Sequence, residues 1–334
     1  TLTPTGGIDD DNDGNNYDIT FVPVNEGAIT QKELTVTGIT ASNKTYDGNT
    51  TASINVSGAA LSGVVSGDSV TLNTGSAAGA FSTKHAGTDK TVSISGLTIS
   101  GTHAGNYSLT QPTTTASITK RSLTVTAATD SKSYDGTTSS SGAPTISSGS
   151  LASGDSDTGS WSQTFDTKHV GTGKTLTPSG AVSDGNDGNN YDVTFTSVST
   201  GAISRRAITV TAATDTKTYD GTTTSSATPT ITSGSLGSGD SASWSQTFDT
   251  KHVGSGKILT PTGTVTDGNS GDNYTITFTP VSSGTINTRA ITVTAATDTK
   301  SYDGNTDSDG EPSITSGSLG TGDSASWSQS FDSA

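Results

Sequence analysis

The sequence predicts an all-β protein, a tandem array of immunoglobulin-like β-sandwich repeats forming an elongated rod, and three observations carry that expectation. Apolar and polar residues alternate along short segments, turn signals separate the segments, and the whole pattern returns about every 85 residues.

The alternation is clearest in "AITVTA" (207–212), where Ile208 and Val210 fall on one face and Thr209 and Thr211 on the other. In "NYTITFTPV" (273–281), Tyr274, Ile276 and Phe278 share a face. β-Branched and aromatic residues at period two read as half-buried strands. "SASWSQTFD" (241–249) puts Trp244 and Phe248 on one face, bringing large apolar area to a small core. Trp161 and Trp327 hold the same place in other copies, whereas the copy beginning at residue 33 has no tryptophan. Asp-Gly and Gly-Asp-Ser turns punctuate the runs, and no segment has helical spacing. Six or seven short strands in about 85 residues describe a two-sheet sandwich. The cysteine pair of antibody domains is missing, so this likeness is architectural. A sandwich so small is marginal on its own, and contact with neighbours gains importance.

Three anchors fix the repeat. Tyr-Asp-Gly occurs at Tyr46, Asp47 and Gly48, at Tyr134, Asp135 and Gly136, at Tyr219, Asp220 and Gly221, and at Tyr302, Asp303 and Gly304. A Lys-His pair follows at Lys84 and His85, Lys168 and His169, and Lys251 and His252. An Asn-Tyr pair closes the unit at Tyr17, Tyr107, Tyr191 and Tyr274. Whole repeats are expected at 33–121, 122–206 and 207–289, with the back half of a repeat at 1–32 and the front half of another at 290–334. The chain therefore reads as a window on a longer repetitive protein. In "GAISRRAITVTAAT" (201–214) the last strand of one repeat passes into the first strand of the next through Arg205 and Arg206 with no flexible spacer. Repeats joined with so little slack are expected to stack end to end, each adding roughly 35 to 45 Å.

Composition narrows the function. Hydrophobic residues are 28% and charged residues 14%, so the cores are thin, yet the charge is too low for a self-repelling disordered tail. A net charge of -15 argues against nucleic acid, whose binding depends on Lys and Arg neutralising phosphates. Cysteine and methionine are absent, which removes disulfides, thiolate catalysis and sulfur ligands and suits exposure outside a cell. No apolar run is long enough to span a bilayer, and "TLTPTGGIDDD" has neither the basic start nor the apolar stretch of a signal peptide. Export and anchoring signals are expected outside this window.

The anchor phrases "NKTYDGNT", "SKSYDGTT", "TKTYDGTT" and "TKSYDGNT", each followed by "TKH" and then "GNY", "NNY" or "DNY" where the copy continues, resemble the YDG and MBG-type immunoglobulin-like repeats of large bacterial surface proteins. Such repeats occur in filamentous-haemagglutinin-like adhesins exported by two-partner secretion, including biofilm matrix adhesins. The resemblance implies an extracellular stalk at the bacterial cell surface that holds an adhesive region away from the cell. Its partners would be other repeats of the same chain, exopolysaccharide or neighbouring adhesin molecules. The first whole repeat departs most, carrying extra residues around "NTGSAAGAF" (73–81).

Chemistry-bearing candidates are few. The Lys-His pairs come without a recognisable nucleophile or paired carboxylates, and the simpler reading is a turn whose imidazole bonds a nearby backbone group or Asp. "DDDNDG" (9–14) places Asp9, Asp11 and Asp13 like the start of an oxygen-ligand calcium loop, but the acid expected at its twelfth position is Thr20, so calcium is at most weakly held. No other cofactor is expected. The Tyr-Asp-Gly turn has a structural reading, with Asp bonding its own backbone, Gly supplying positive φ, and Tyr covering the core edge with a wet hydroxyl. A sugar-binding role for those tyrosines is the rival reading. Glutamate occurs only at Glu26, Glu33 and Glu311, leaving no repeated Lys-Asn-acid triad for a covalent cross-link. The expectation is a non-enzymatic stalk segment, with a carbohydrate- or cell-binding array acting through avidity as the alternative.

Overall fold

The computed structural model describes residues 1–157 and 161–334. The described residues form strands and turns, and among them lies a single 3-10 turn at Ala104–Asn106. Among the described residues no helix is long and apolar enough to cross a membrane. The expected all-β class and the repeated β domains are present. The chain divides into two compact units, one of Thr1–Val125, Ile146–Ser160 and Gly180–Thr194, the other of Thr126–Thr145, Trp161–Ser179 and Phe195–Ala334. The dividing line runs through the second repeat, so each joint between consecutive repeats falls inside one unit.

The third repeat lies wholly in the second unit and shows the architecture complete. Its strands are Arg206–Thr211, Thr216–Thr218, Thr230–Ser233, Ser241–Phe248, Gly254–Thr266, Tyr274–Thr279 and Val281–Asn287. One sheet has Arg206–Thr211 between Thr230–Ser233 and Tyr274–Thr279, and the other runs Thr216–Thr218, Val281–Asn287, Gly254–Thr266, Ser241–Phe248. The first strand pairs in parallel with Tyr274–Thr279 from Arg206↔Tyr274 to Thr211↔Thr279, and Thr216–Thr218 pairs in parallel with Val281–Asn287. The other pairings are antiparallel, with register shifts around Lys257 and between Thr209 and Val210.

Alternation sets the burial. Ile208, Val210, Phe248, Leu259 and Ile286 are buried while the threonines and serines between them face outward. Gly284 is required where it stands, because a Cβ there would lie 2.9 Å from the Phe248 ring. Gln246 is buried but satisfied: Ala213 N–H donates to its Oε1, and its Nε2 donates to Ala213 O and Ser225 Oγ. Hydrogen bonds on both ends of the buried amide offset the cost of taking it out of water.

The apolar core does not stop at the repeat boundary. In the second unit one buried cluster joins Ala127, Tyr134, Phe165, Leu176 and Ile203 of the second repeat to Ile208, Val210, Val265 and Tyr274 of the third. Each fully buried large side chain of this kind contributes about 1.5–3 kcal/mol, so the shared cluster is a sizeable part of what a thin sandwich has.

In the first unit, Lys32–Thr37 lies between Tyr107–Leu109, parallel, and Ala60–Ser62, antiparallel. A second sheet runs Lys44–Thr45, Thr113–Thr119, Gly87–Ser95, Ala78–Phe81, Thr51–Ala52, and Leu34, Val36, Tyr46, Phe81, Val92 and Ile118 are buried. The extra residues of this repeat extend it with the ribbon Thr71–Asn73 and Thr98–Ser100. Residues 1–31 are mostly exposed, with one bridge between Leu2 and Val24. Residues 290–334 form the ribbon Thr292–Thr294 and Ser313–Ser316 and leave Ile291, Val293 and Trp327 exposed.

Candidate functional site at the joint between repeats

The Tyr-Asp-Gly turn is held from below by a lysine two positions before its tyrosine. Lys132 Nζ donates to Asp135 at 2.8 and 3.0 Å, to Thr137 O at 2.9 Å and to Ser139 O at 2.8 Å, and sits over the Phe165 ring at 5.4 Å. The Thr137 N–H donates to Asp135 Oδ1 at 2.8 Å, an Asx turn, and Gly136 takes φ 84° in the left-handed region. Lys44, Lys217 and Lys300 repeat the arrangement with Asp47, Asp220 and Asp303. The Lys217 ammonium, and after it the Thr222 amide, hold the part-exposed Asp220 carboxyl down at a pKa of about 2.

What this turn presents is its tyrosine. Tyr134 is fully buried, and its hydroxyl donates at 3.2 Å to Asp240 of the third repeat. Tyr274 of the third repeat donates to the other Asp240 oxygen at 2.6 Å, and its ring meets Tyr134 edge-on with centroids 5.5 Å apart. Lys168 of the second repeat approaches the same carboxylate at 3.6 Å, and the Asp240 side chain is 1% exposed. The joint between the first and second repeats is built alike. Tyr46 donates to Asp155 at 3.3 Å, Tyr191 donates to it at 2.7 Å, and Lys84 lies 3.7 Å from it. Burial, followed by the neighbouring aspartate, pushes the tyrosine hydroxyls up, to about 12 for Tyr191 and Tyr274 and further for Tyr46 and Tyr134.

The expectation of a wet tyrosine hydroxyl is therefore corrected: the acceptor lies in the following repeat. The same correction applies to the histidines. At the second joint Val170 N–H and Asn269 Nδ2 both donate to Asn273 Oδ1, at 3.0 and 3.1 Å. That fixes the amide orientation, so Asn273 Nδ2 donates to His169 Nδ1 at 3.1 Å and the ring carries its proton on Nε2. His85 and Ala86 meet Asn190 in the same way.

Backbone completes the contact. Arg206 donates through Nη1 to Tyr134 O at 3.2 Å and through Nε to Ser235 O at 2.6 Å, clamping the turn of one repeat to a loop of the next. Ser238 N–H donates to Asp135 O at 2.8 Å, and Thr321 N–H to Asp220 O at 2.7 Å. Glycine is needed in the turn for a second reason, since a Cβ on Gly136 would lie 2.4 Å from Ser238 O and one on Gly221 would lie 2.4 Å from Thr321 O.

Asn273 is presented by an aspartate-centred loop. Asp267 accepts from the N–H groups of Asn269, Gly271 and Asn273 at 2.7, 2.9 and 3.2 Å, and Asp184 does the same for Asn186, Gly188 and Asn190. Burial alone would raise these carboxyls; the three amides outweigh it and hold both low. In "DDDNDG" the corresponding acceptor is Asp10, bonded by Asn12, Gly14 and Asn16, while Asp9, Asp11 and Asp13 are exposed. The loop is organised by the one aspartate outside the calcium candidate set, and among the described residues no group of three or more His, Asp or Glu side chains could hold a metal.

The remaining anchors lie apart from the joint's polar centre. Trp161 and Trp244 meet Phe195 and Phe278 edge-on at 5.8 and 5.9 Å, and Trp327 is exposed. Tyr302, the turn tyrosine of the last copy, is 85% exposed. Sequence reasoning passed over Asp155, Asp240 and Asp323, the arginines Arg121 and Arg289, and the asparagines Asn190 and Asn273. The aspartates and asparagines had a signal in the Gly-Asp-Ser and Asn-Tyr words that recur in step with Tyr-Asp-Gly.

Chemically the site is a closed contact between consecutive repeats, with its carboxylate oxygens taken by tyrosines and a lysine. Residues 30–116, 119–200 and 204–283 each match the YDG domain. No curated protein matches the chain. With three tandem matches covering most of its length, the chain belongs to the YDG domain family.

Proposed function

We propose that this chain is a structural stalk segment of a large extracellular bacterial adhesin, whose work is reach and stiffness and which projects an adhesive region for cell-cell or biofilm matrix attachment. The observation that carries the reading is the joint: Tyr134 is fully buried and bonded to Asp240 of the next repeat, inside an apolar cluster common to both repeats. A spacer that must transmit orientation needs such joints, because stacked repeats gain stiffness only from nearest-neighbour contact. The family resemblance adds the bacterial surface, two-partner export and the adhesive tip as parts of the same proposal. The chain's partners are then its own neighbouring repeats.

Retention of the chain on immobilised polysaccharides or on cells tests the reading against a binding array. A pure spacer shows no saturable retention. Saturable retention that competes with free polysaccharide would replace the spacer with an array acting through avidity.

A further inference from the structure

Four loops stand at equivalent places in successive repeats, three of them meeting a Tyr-Asp-Gly turn, and one position in them runs Val65, Ala152, Gly237 and Gly320. A shared bond establishes the equivalence of three of them. The N–H of Val65, Ala152 and Gly237 donates to the hydroxyl of its own repeat's Tyr107, Tyr191 or Tyr274, at 3.0, 2.8 and 2.6 Å. Asp68, Asp155 and Asp240 follow three residues later, each bonded by that same tyrosine.

This position faces the arriving turn. A Cβ on Gly237 would lie 3.0 Å from Asp135 C and Gly136 N, and one on Gly320 would lie 2.9 Å from the Tyr219 ring and 3.0 Å from Gly221 N. Where the methyl is present, at Ala152, the joint is more open. A Cβ on Gly48 would stand 2.9 Å from Ser153 O and 3.6 Å from Ser153 N, against 2.4 and 2.5 Å for Gly136 and the same atoms of Ser238. The hydrogen bond that the Ser238 and Thr321 N–H groups donate to Asp135 O and Asp220 O has no counterpart at Ser153 among the described residues. Valine adds two further methyl groups toward a backbone already at contact distance, and packed interfaces do not absorb that without moving apart.

Two more features of the first repeat point the same way. The stretch from Gly63 to Asp68 is one residue shorter than those from Gly149 to Asp155 and from Gly234 to Asp240, and it lacks the serine, Ser150 or Ser235, that anchors Arg121 or Arg206. Strand register places Lys32 opposite Tyr107 where Arg206 lies opposite Tyr274, so the forked guanidinium is replaced by an exposed ammonium.

We propose that the residue at 65, 152, 237 and 320 grades the joint, glycine locking it, alanine relaxing it and valine refusing it, so that the receiving face of residues 33–121 does not seat a Tyr-Asp-Gly turn and marks a break in a run of stacked repeats. This rests on the stacking reading of the previous subsection. A stalk with such breaks consists of stiff runs separated by hinges whose places are written in single side chains.

The test uses the full chain, which has no cysteine of its own, with cysteines introduced at the exposed Thr177 and Thr260 for spin labels across the second joint. Pulsed dipolar spectroscopy on the otherwise unaltered chain is expected to give a narrow distance distribution, and Gly237→Val a broad one. A distribution as narrow in Gly237→Val as in the parent overturns the inference. A distribution already broad in the parent overturns the stacking reading instead. Ala152→Gly supplies the opposite change: the Ser153 amide is expected to gain the bond its counterparts have and to exchange about tenfold more slowly, the worth of one hydrogen bond. Should Gly237→Val fail to fold, as read by loss of its β-sheet circular dichroism, unchanged Ser153 exchange in Ala152→Gly overturns the inference and slowed exchange supports it.

Discussion

The joint at Asp240 and the joint at Asp323 share a docking mechanism and differ in how they are sealed. Both receive a tyrosine hydroxyl, from Tyr134 at 3.2 Å and from Tyr219 at 2.8 Å, both have a lysine within 3.6 Å, and both have an arginine donating to the tyrosine carbonyl. Asp240 also receives Tyr274 and is 1% exposed, whereas residues 290–334 contain no counterpart of Asn273 and Tyr274 and Asp323 is 29% exposed. His252 and Val253 are exposed where His169 and Val170 are half-buried. Docking thus needs only the turn, the loop and the arginine; excluding water from the carboxylate needs the Asn-Tyr strand of the same receiving repeat. A repeat that folds completely is the better receiver, which couples the stability of each sandwich to the closure of the joint before it.

The largest expected effect comes from removing the sealed carboxylate. Asp240→Ala strands two tyrosine hydroxyls and Lys168, and urea unfolding should report a loss of about 3–5 kcal/mol. Asp323→Ala removes a half-wet contact and should cost about 1 kcal/mol. Equal losses at the two sites would erase the distinction between docking and sealing.

Tyr274→Phe is the finer probe, since it keeps the ring against Tyr134 and removes only the hydroxyl shared by Asp240 and the Gly237 amide. A loss of about 1–3 kcal/mol is expected in unfolding. Its dipolar distance distribution across the second joint should stay narrow, because docking persists without sealing. A broadened distribution would show that the seal itself sets the orientation.

Alkali reaches the same groups. Tyr191 and Tyr274 have folded-state pKa values raised to about 12, above the ordinary value near 10, so the stability they confer is fully present below about pH 10 and is lost as pH rises toward 12. Melting temperature should fall steeply over that interval, and Tyr274→Phe should flatten the fall. The smallest effect is in acid. Asp220 is depressed to about 2, so its contribution is present above about pH 4 and lost as pH falls through 2; with the side chain 41% exposed, Lys217→Met should remove well under 1 kcal/mol of that dependence.

Much of the sandwich was legible in sequence, because period-two burial at Ile208, Val210, Trp244 and Phe248 is written directly in the order of side chains. The joint was not, for a reason particular to tandem arrays. The anchor words recur from copy to copy, so Tyr134 has one candidate partner at Asp155 in its own repeat and another in the same Gly-Asp-Ser word at Asp240 in the next, and composition cannot choose between them. The choice is made by geometry: the Asx turn under Lys132 aims the tyrosine out of its own sandwich. The loop at 9–14 shows the complementary failure. Its acidic spacing suggested Asp9, Asp11 and Asp13 as ligands, but the backbone amides converge on Asp10, and Asp11 and Asp13 stand at positive φ, 59° and 51°, in places where left-handed backbone turns the loop.

Native-state hydrogen exchange of the Ser238 and Val170 amides tests the central claim most directly, since each bonds across the second joint, to Asp135 O and to Asn273 Oδ1. If the joint is part of one cooperative structure, both amides exchange only with the opening that also releases the Tyr134 amide, bonded to Ser204 O inside the second repeat. Exchange of Ser238 and Val170 near the unprotected rate while the Tyr134 amide stays protected would contradict it.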